Sequence, residues 1–196
     1  IGGTAITLGL TALTYGPGGG SDESSQTLTY KITAIPSFIT VFKPDGTDYL
    51  DGDATPTPFV GTPSPIVASP CVGDIDGVPG NEIVFQTLNA TVYALHADGT
   101  EVIDGDNNAG TLGVLVPGGG FATRGQPILV DLDGTGGMEI VMGSSAAALG
   151  GSLLSAIQVT GGAVNVLQIP MRGSTADPPA AADLDGDGLP EIVVAN

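Results

Sequence analysis

Three stretches of this chain repeat one pattern: DIDGVPGNEIVF from Asp74, DLDGTGGMEIVM from Asp131 and DLDGDGLPEIVV from Asp183. Each has Asp at position 1, an aliphatic residue at 2, Asp at 3, Gly at 4 and Glu at 9, and then runs into an Ile-Val strand. Carboxylates on alternating positions, closed by an acid at 9, suit a loop that wraps a hard cation. Recurrence of the same phrase three times makes this a repeat protein, and the repeat constrains the fold before any single residue does.

The ligand inventory points to calcium, which takes six to eight oxygens from carboxylates, backbone carbonyls and water. The third loop is the fullest. Asp183, Asp185 and Asp187 stand at positions 1, 3 and 5, the Leu189 carbonyl at 7, and Glu191 at 9. The middle loop offers Asp131, Asp133 and Glu139, with Thr135 in place of the third Asp. The first offers Asp74, Asp76 and Glu82, with Val78 there. The third loop thus has four acids and the other two three each, and affinity is expected to follow that order. Magnesium prefers rigid octahedral sites that keep several waters. Zinc and copper favour imidazole or thiolate, and the chain has one His and one Cys.

A second unit recurs between the loops. ITVFKPDGTDYLDGD from Ile39 resembles ATVYALHADGTEVIDGD from Ala90, and SAIQVTGGAVNVLQI from Ser155 is a looser third copy. In the first two, an Asp-Gly turn lies between apolar runs, a strong hairpin signal; in the third, Gly161 and Gly162 take the turn. The loops recur at spacings of 57 and 52 residues (Asp74, Asp131, Asp183). Such a period, with four short strands per unit, suits a propeller blade. The expected strands are residues 65–69, 83–87, 90–95 and 101–103 in one unit and 127–130, 140–143, 153–159 and 164–169 in the next. A hairpin half-unit (39–42, 49–50) opens the series, and a loop-flanked half-unit (180–182, 192–195) closes it. The expected fold is all-β: propeller-like four-stranded repeats with Asp-rich calcium loops, preceded by an N-terminal strand pair. The expected divisions are 1–36 for the strand pair and 37–196 for the repeats, as half-blade 37–60, blade 64–106, blade 125–171 and half-blade 177–196.

These D-h-D-G-x-x-x-x-E-I-V segments (h for an aliphatic residue) resemble FG-GAP or VCBS-type repeats, the calcium-binding β-propeller repeats of integrin alpha subunits and many bacterial surface proteins. The resemblance spans about residues 37–196. It implies calcium positions at Asp183, Asp185, Asp187, Leu189 and Glu191, and by alignment at Asp131, Asp133, Thr135, Gly137 and Glu139 and at Asp74, Asp76, Val78, Gly80 and Glu82. Thr135 and Val78 depart from the family's pattern, and a strict Phe-Gly…Gly-Ala-Pro signature is absent. The resemblance implies extracellular adhesion or scaffolding and no reaction.

Composition agrees with a cell-surface role. The formal net charge is −17, from 21 acids against four Lys+Arg. That charge argues against nucleic acid, which needs a basic face, and against anionic membranes. No 18-residue apolar run, signal-peptide pattern or initiator Met is present, which leads us to expect a processed product, an excised piece or part of something longer, with no membrane insertion. Calcium loops of extracellular modules work near millimolar calcium, so the expected place is outside the cell. The scarcity of Lys suits a surface that packs against copies of itself. Cys71 stands alone and reads as a small buried hydrophobe. His96 reads as a turn residue before Asp98 and Gly99. The Asp51, Gly52, Asp53 and Asp104, Gly105, Asp106 triplets lack a closing acid and read as solvated turns.

The first 36 residues leave the repeat. Residues 6–15 (ITLGLTALTY) and 26–35 (QTLTYKITAI) alternate like strands around the polar GPGGGSDESS. They resemble the opening strands of bacterial cadherin-like or immunoglobulin-like modules. Two strands alone are marginal in water, so they are expected to pair with the repeats or with another chain. Three function classes follow. One is a calcium-stabilised structural protein that associates with copies of itself into a filament, fibre or surface layer. Another is an adhesion or ligand-binding module, for glycan or a cell-surface protein, excised from a longer bacterial surface propeller. The third, an enzyme using paired acids, is set aside because the acids are best explained as calcium ligands.

Overall fold

The structure, a computed structural model, describes residues 38–49, 58, 60–118, 125–146, 151–172 and 177–195. The chain divides into two units, Ile1–Thr33 and Ala34–Asn196. All described residues lie in the second, and the expected N-terminal strand pair lies outside them, as does the 51–53 triplet. The described residues are all-β, with antiparallel sheets and no helix.

Among the described residues, twelve strands make four sheets. β1 (Phe38–Ile39) pairs with β2 (Val60–Gly61). β3 (Cys71–Gly73), β4 (Glu82–Gln86), β5 (Val92–Leu95) and β6 (Val114–Val116) form a four-stranded meander in that order. β7 (Ile128–Val130), β8 (Glu139–Ala146), β9 (Gly151–Thr160) and β10 (Ala163–Met171) form a second one. β11 (Ala180–Ala182) pairs with β12 (Glu191–Val193). In each of the last three sheets an Asp-rich loop joins the first strand to the second, residues 74–81, 131–138 and 183–190, and the closing Glu opens the second strand.

Strand alternation stacks these sheets. Along β4 and β5, one face carries Val84, Val92 and Ala94, which cluster with Leu115 of β6 and with Ile140, Met142, Ile157 and Val159 of the second meander. The opposite face carries Phe85, Tyr93 and Leu95, which cluster with Val114 and Val60 and collect Ile39, Val41 and Ile66. The first meander is therefore buried on both faces, which is why β5 shows no alternation in exposure. Phe85 and Tyr93 are register partners and stack with ring centroids 5.0 Å apart. Side chains of this size each stabilise the fold by about 1.5–3 kcal/mol when buried.

The turns follow from their residues. Asp45 accepts hydrogen bonds from the Thr47 backbone N–H and hydroxyl, and Asp98 accepts the same pair from Thr100. Gly46 and Gly99 both take φ 85°. Gly161 and Gly162 both lie at positive φ between β9 and β10, as a two-residue hairpin requires.

The strands differ from expectation in three places. Among the described residues, the hairpin expected from 39–42 and 49–50 contributes only the isolated bridge of Phe42 to Asp48, and Ile39 pairs with Val60 instead. The strand expected at 65–69 contributes only the isolated bridge of Ile66 to Thr87, and the first strand of that sheet is β3. The strand expected at 101–103 contributes only the bridge of Leu95 to Glu101, and the fourth strand is β6. Between them, residues 104–113 form a loop tied down by Asn108 N–H bonds to Asp104 and Asp106 and a Thr111 hydroxyl bond to Asp106. Val102 and Ile103 pack on the core as coil rather than strand.

Candidate metal centres

The three Asp-rich loops share one hydrogen-bond frame. The N–H at position 2 donates to Oε2 of the closing Glu: Ile75 to Glu82 at 2.9 Å, Leu132 to Glu139 at 2.8 Å, Leu184 to Glu191 at 2.8 Å. The Gly at position 4 donates to Oδ1 of the first Asp at 2.8, 2.7 and 2.7 Å. The N–H at position 5 donates to Oδ1 of the second Asp at 2.8, 3.0 and 3.1 Å. That Gly adopts φ of 73°, 71° and 83°, the left-handed region that a Cβ disfavours. Each loop thereby fixes its carboxylates by backbone hydrogen bonds to one oxygen of each; in the second and third loops Gly136 and Gly188 also donate to the other oxygen of the first Asp, at 3.2 and 3.0 Å.

Carboxylates converge in the second and third loops. Ligand atoms of Asp131, Asp133 and Glu139 lie within 4.8 Å of one another, as do those of Asp183, Asp185 and Glu191. Among the described residues no Lys or Arg pairs with any of these carboxylates. Glu82 is 1% exposed and Glu139 6%. A buried carboxylate needs a counter-charge or protonation, and a cation is one way to supply the charge.

The remaining expected ligands are placed less centrally. Asp187 is exposed and accepts the Leu189 N–H at 2.8 Å, outside the converging set. Leu189 leans its side chain toward Gly134 of the neighbouring loop. Thr135 donates its hydroxyl to Asp133 at 2.6 Å, and that bond holds the Asp133 carboxyl below its usual range. Gly137 packs beside the Ile75 carbonyl. Val78 is solvent-exposed and offers no side-chain oxygen. Gly80 takes φ 154°.

The first loop gathers a different set. There the converging atoms belong to Asp76, Glu82 and His96; Asp74 is not among them. His96 follows β5 and lies across from Glu82, next to the Ile83–Leu95 register pair, with Nδ1 3.3 Å from Glu82 Oε1. The second meander has Gln158 in the corresponding place, next to the Ile140–Ile157 pair. Its Nε2 donates to Asp133 Oδ2 at 2.7 Å and to Glu139 Oε1 at 3.3 Å. Reading His96 as a turn residue missed this contact. The signal was in the sheet register, which sets a third-strand residue against the closing Glu of the loop.

The loops adjoin one another. Met138 N–H donates to the Asp74 carbonyl at 2.8 Å. A polar cleft of about 140 Å³ lies between the first two loops, lined by Asp76, Gly77, Thr135, Glu139 and Gln158 among others. At the far ends of β4 and β5 a second cavity of about 280 Å³ opens between the meanders. Gln86, Val92, Met142, Ser144 and Ser155 help line it. Gln86 is fully buried there; its Nε2 donates to the Gly125 carbonyl, while its Oε1 has no partner among the described residues.

No protein-family model, curated protein or solved structure matches this chain.

Proposed function

We propose that this is an extracellular structural protein of FG-GAP type, in which calcium held by the Asp-rich loops stabilises sheets stacked as propeller blades. Copies then associate through exposed sheet edges into a filament, fibre or surface layer. The observation that carries the reading is the loop frame itself, the same three hydrogen bonds in three places. Each frame gathers carboxylates in one loop, and among the described residues no Lys or Arg meets them. Oxygen-only donor sets of this kind suit calcium. Face-to-face packing of successive four-stranded meanders is the way propeller blades bury their apolar faces. The reading assigns no reaction, because the paired acids serve the cation.

The edges support association. β10 runs nine residues without a charge, and Val166, Leu167 and Ile169 are exposed along it. An apolar edge strand of that length is a template for pairing with another chain.

Calcium is expected to raise the melting temperature. A ligand present at 100 times its Kd adds about 2.7 kcal/mol per site. Thermal melts in millimolar calcium and in chelator test this; equal midpoints after confirmed metal removal would sink the calcium reading. Negative-stain microscopy of native material tests the assembly.

A second reading, an adhesion module for glycan or a cell-surface protein, is favoured by the cavity beside Gln86. Its orphaned acceptor fits a ligand hydroxyl or amide donor.

A further inference from the structure

We infer that the first loop is a site for a borderline transition-metal dication, zinc being the type case, held by His96 Nδ1, Glu82 and Asp76, rather than another copy of the oxygen cage in the other two loops. The inference rests on the reading that these loops hold cations, and it changes the ion at one of them.

Four observations separate this loop. First, its converging donors are one nitrogen and two carboxylates, whereas the other two loops converge carboxylates alone. Imidazole suits zinc, copper, iron and nickel, while calcium takes oxygen ligands. Second, the loop has lost parts of the oxygen cage. Val78 at position 5 carries no side-chain oxygen. Position 6 is Pro79, which has no N–H and a φ fixed near about −65°. The other loops place Gly136 and Gly188 there, both at φ 94°, and those glycines donate to the second oxygen of the first Asp at 3.2 and 3.0 Å. Without that bond, Asp74 stands outside the cluster.

Third, the nitrogen is held beside the buried acid: His96 Nδ1 lies 3.3 Å from Glu82 Oε1, close enough for both to ligate one ion. Glu82 is further fixed through its other oxygen by the Ile75 N–H, the kind of outer-shell support that orients a metal ligand. Asp76 also lines the polar cleft between the first two loops.

Fourth, the corresponding residue of the second meander already reaches its loop. Gln158 contacts both Asp133 and Glu139, so a third-strand side chain in this place touches the carboxylate centre. The repeat thus carries one variable ligand, an imidazole in the first loop and an amide in the second, and that residue sets the ion.

The chain has a single His, so an untagged, chelator-stripped full-length protein gives one imidazole signal to follow by proton NMR. One equivalent of zinc is expected to shift that signal, and millimolar calcium alone to leave it in place. In titration calorimetry, His96→Gln is expected to weaken zinc binding at least tenfold and to leave calcium binding within twofold. This variant installs the residue that the second meander uses. Gln158→His is the converse test and is expected to add a second equivalent of zinc. Asp185→Ala is expected to weaken calcium binding and leave zinc binding unchanged. An imidazole signal indifferent to zinc, or zinc affinity unchanged in His96→Gln, overturns the inference. Loss of the calcium effect in all variants with the zinc effect intact overturns the calcium reading and leaves this one standing.

Discussion

At the scale of single residues, position 5 distinguishes the three loops: Asp187, Thr135 and Val78. The third loop has four acids, so removing a central one there takes away the most. Asp185→Ala is expected to lower calcium affinity at least tenfold, and by more than Asp133→Ala or Asp76→Ala, since a charge-assisted contact contributes about 1.5–3 kcal/mol. Calorimetry of the three variants ranks them, and a largest effect at Asp76 would contradict the assignment of ions to loops. Away from the loops, Asp98 shows how a turn residue couples to pH. The Thr100 hydroxyl, followed by the Thr100 N–H, holds its carboxyl below the ordinary value of 3.8. A depressed carboxyl binds its proton less tightly when folded, so its stabilisation is present above about pH 4 and is lost as pH falls through the folded value. Thr100→Val is expected to raise the Asp98 pKa toward 3.8 in a carboxyl NMR titration and to reduce the pH dependence of stability in that acid window. No rise would mean that the hydroxyl is not the cause.

At the scale of elements, the first meander is closed by a loop rather than by a hairpin. Gly105 donates to the Val114 carbonyl at 2.9 Å, and a Cβ at that position would run into the Leu115 carbonyl. Gly105→Ala should therefore force the loop and the β6 backbone apart and cost about 1–3 kcal/mol, the usual range for overpacking. Urea unfolding measures it, and a change below about 0.5 kcal/mol, the scale of ordinary surface substitutions, would show that the strand is not held there. The same elements show what the sequence could disclose. The Asp-rich loops and the turns at Asp45, Asp98 and Gly161 were legible, because each is set by side chains within a few residues of one another. β3 and β6 were not, because each is defined by its partner: Cys71 by Val84 across the 74–81 loop, and Val114 by Tyr93 across the 104–113 excursion. Val102 and Ile103 looked more like a strand than Val114 did only because they directly follow the turn. His96 escaped for the same reason. Its contact with Glu82 spans 14 residues and exists only once β4 and β5 are in register.

At the scale of the whole molecule, a formal charge of −17 should keep copies apart, so association has to use surfaces that carry little of it. Two segments meet that condition. β10 has no charged residue along Ala163–Met171 and is exposed at six consecutive positions, 165–170. Its corresponding strand in the first meander, β6, is only three residues long and mostly buried. The devices that usually protect an edge are charges, prolines and bulges, and β10 has only Pro170, near its end. The second segment is residues 6–15, also uncharged, which alternate in sequence like a strand and lie outside the described residues. Backbone pairing of that segment with β10 of another copy would cover an apolar edge without bringing acids together, as in strand addition. The chain of 19.3 kDa is therefore expected to sediment in calcium as species larger than a monomer. Deleting residues 1–15 should abolish the larger species and leave far-ultraviolet β content largely unchanged. Leu167→Lys with Ile169→Lys should do the same from the acceptor side, because a charge on an edge strand opposes further pairing. A compact monomer for the unmodified chain would refute association outright. Assembly that survives the double lysine variant but not the deletion would move the acceptor away from β10, with the exposed Val193 of β12 the next edge to charge.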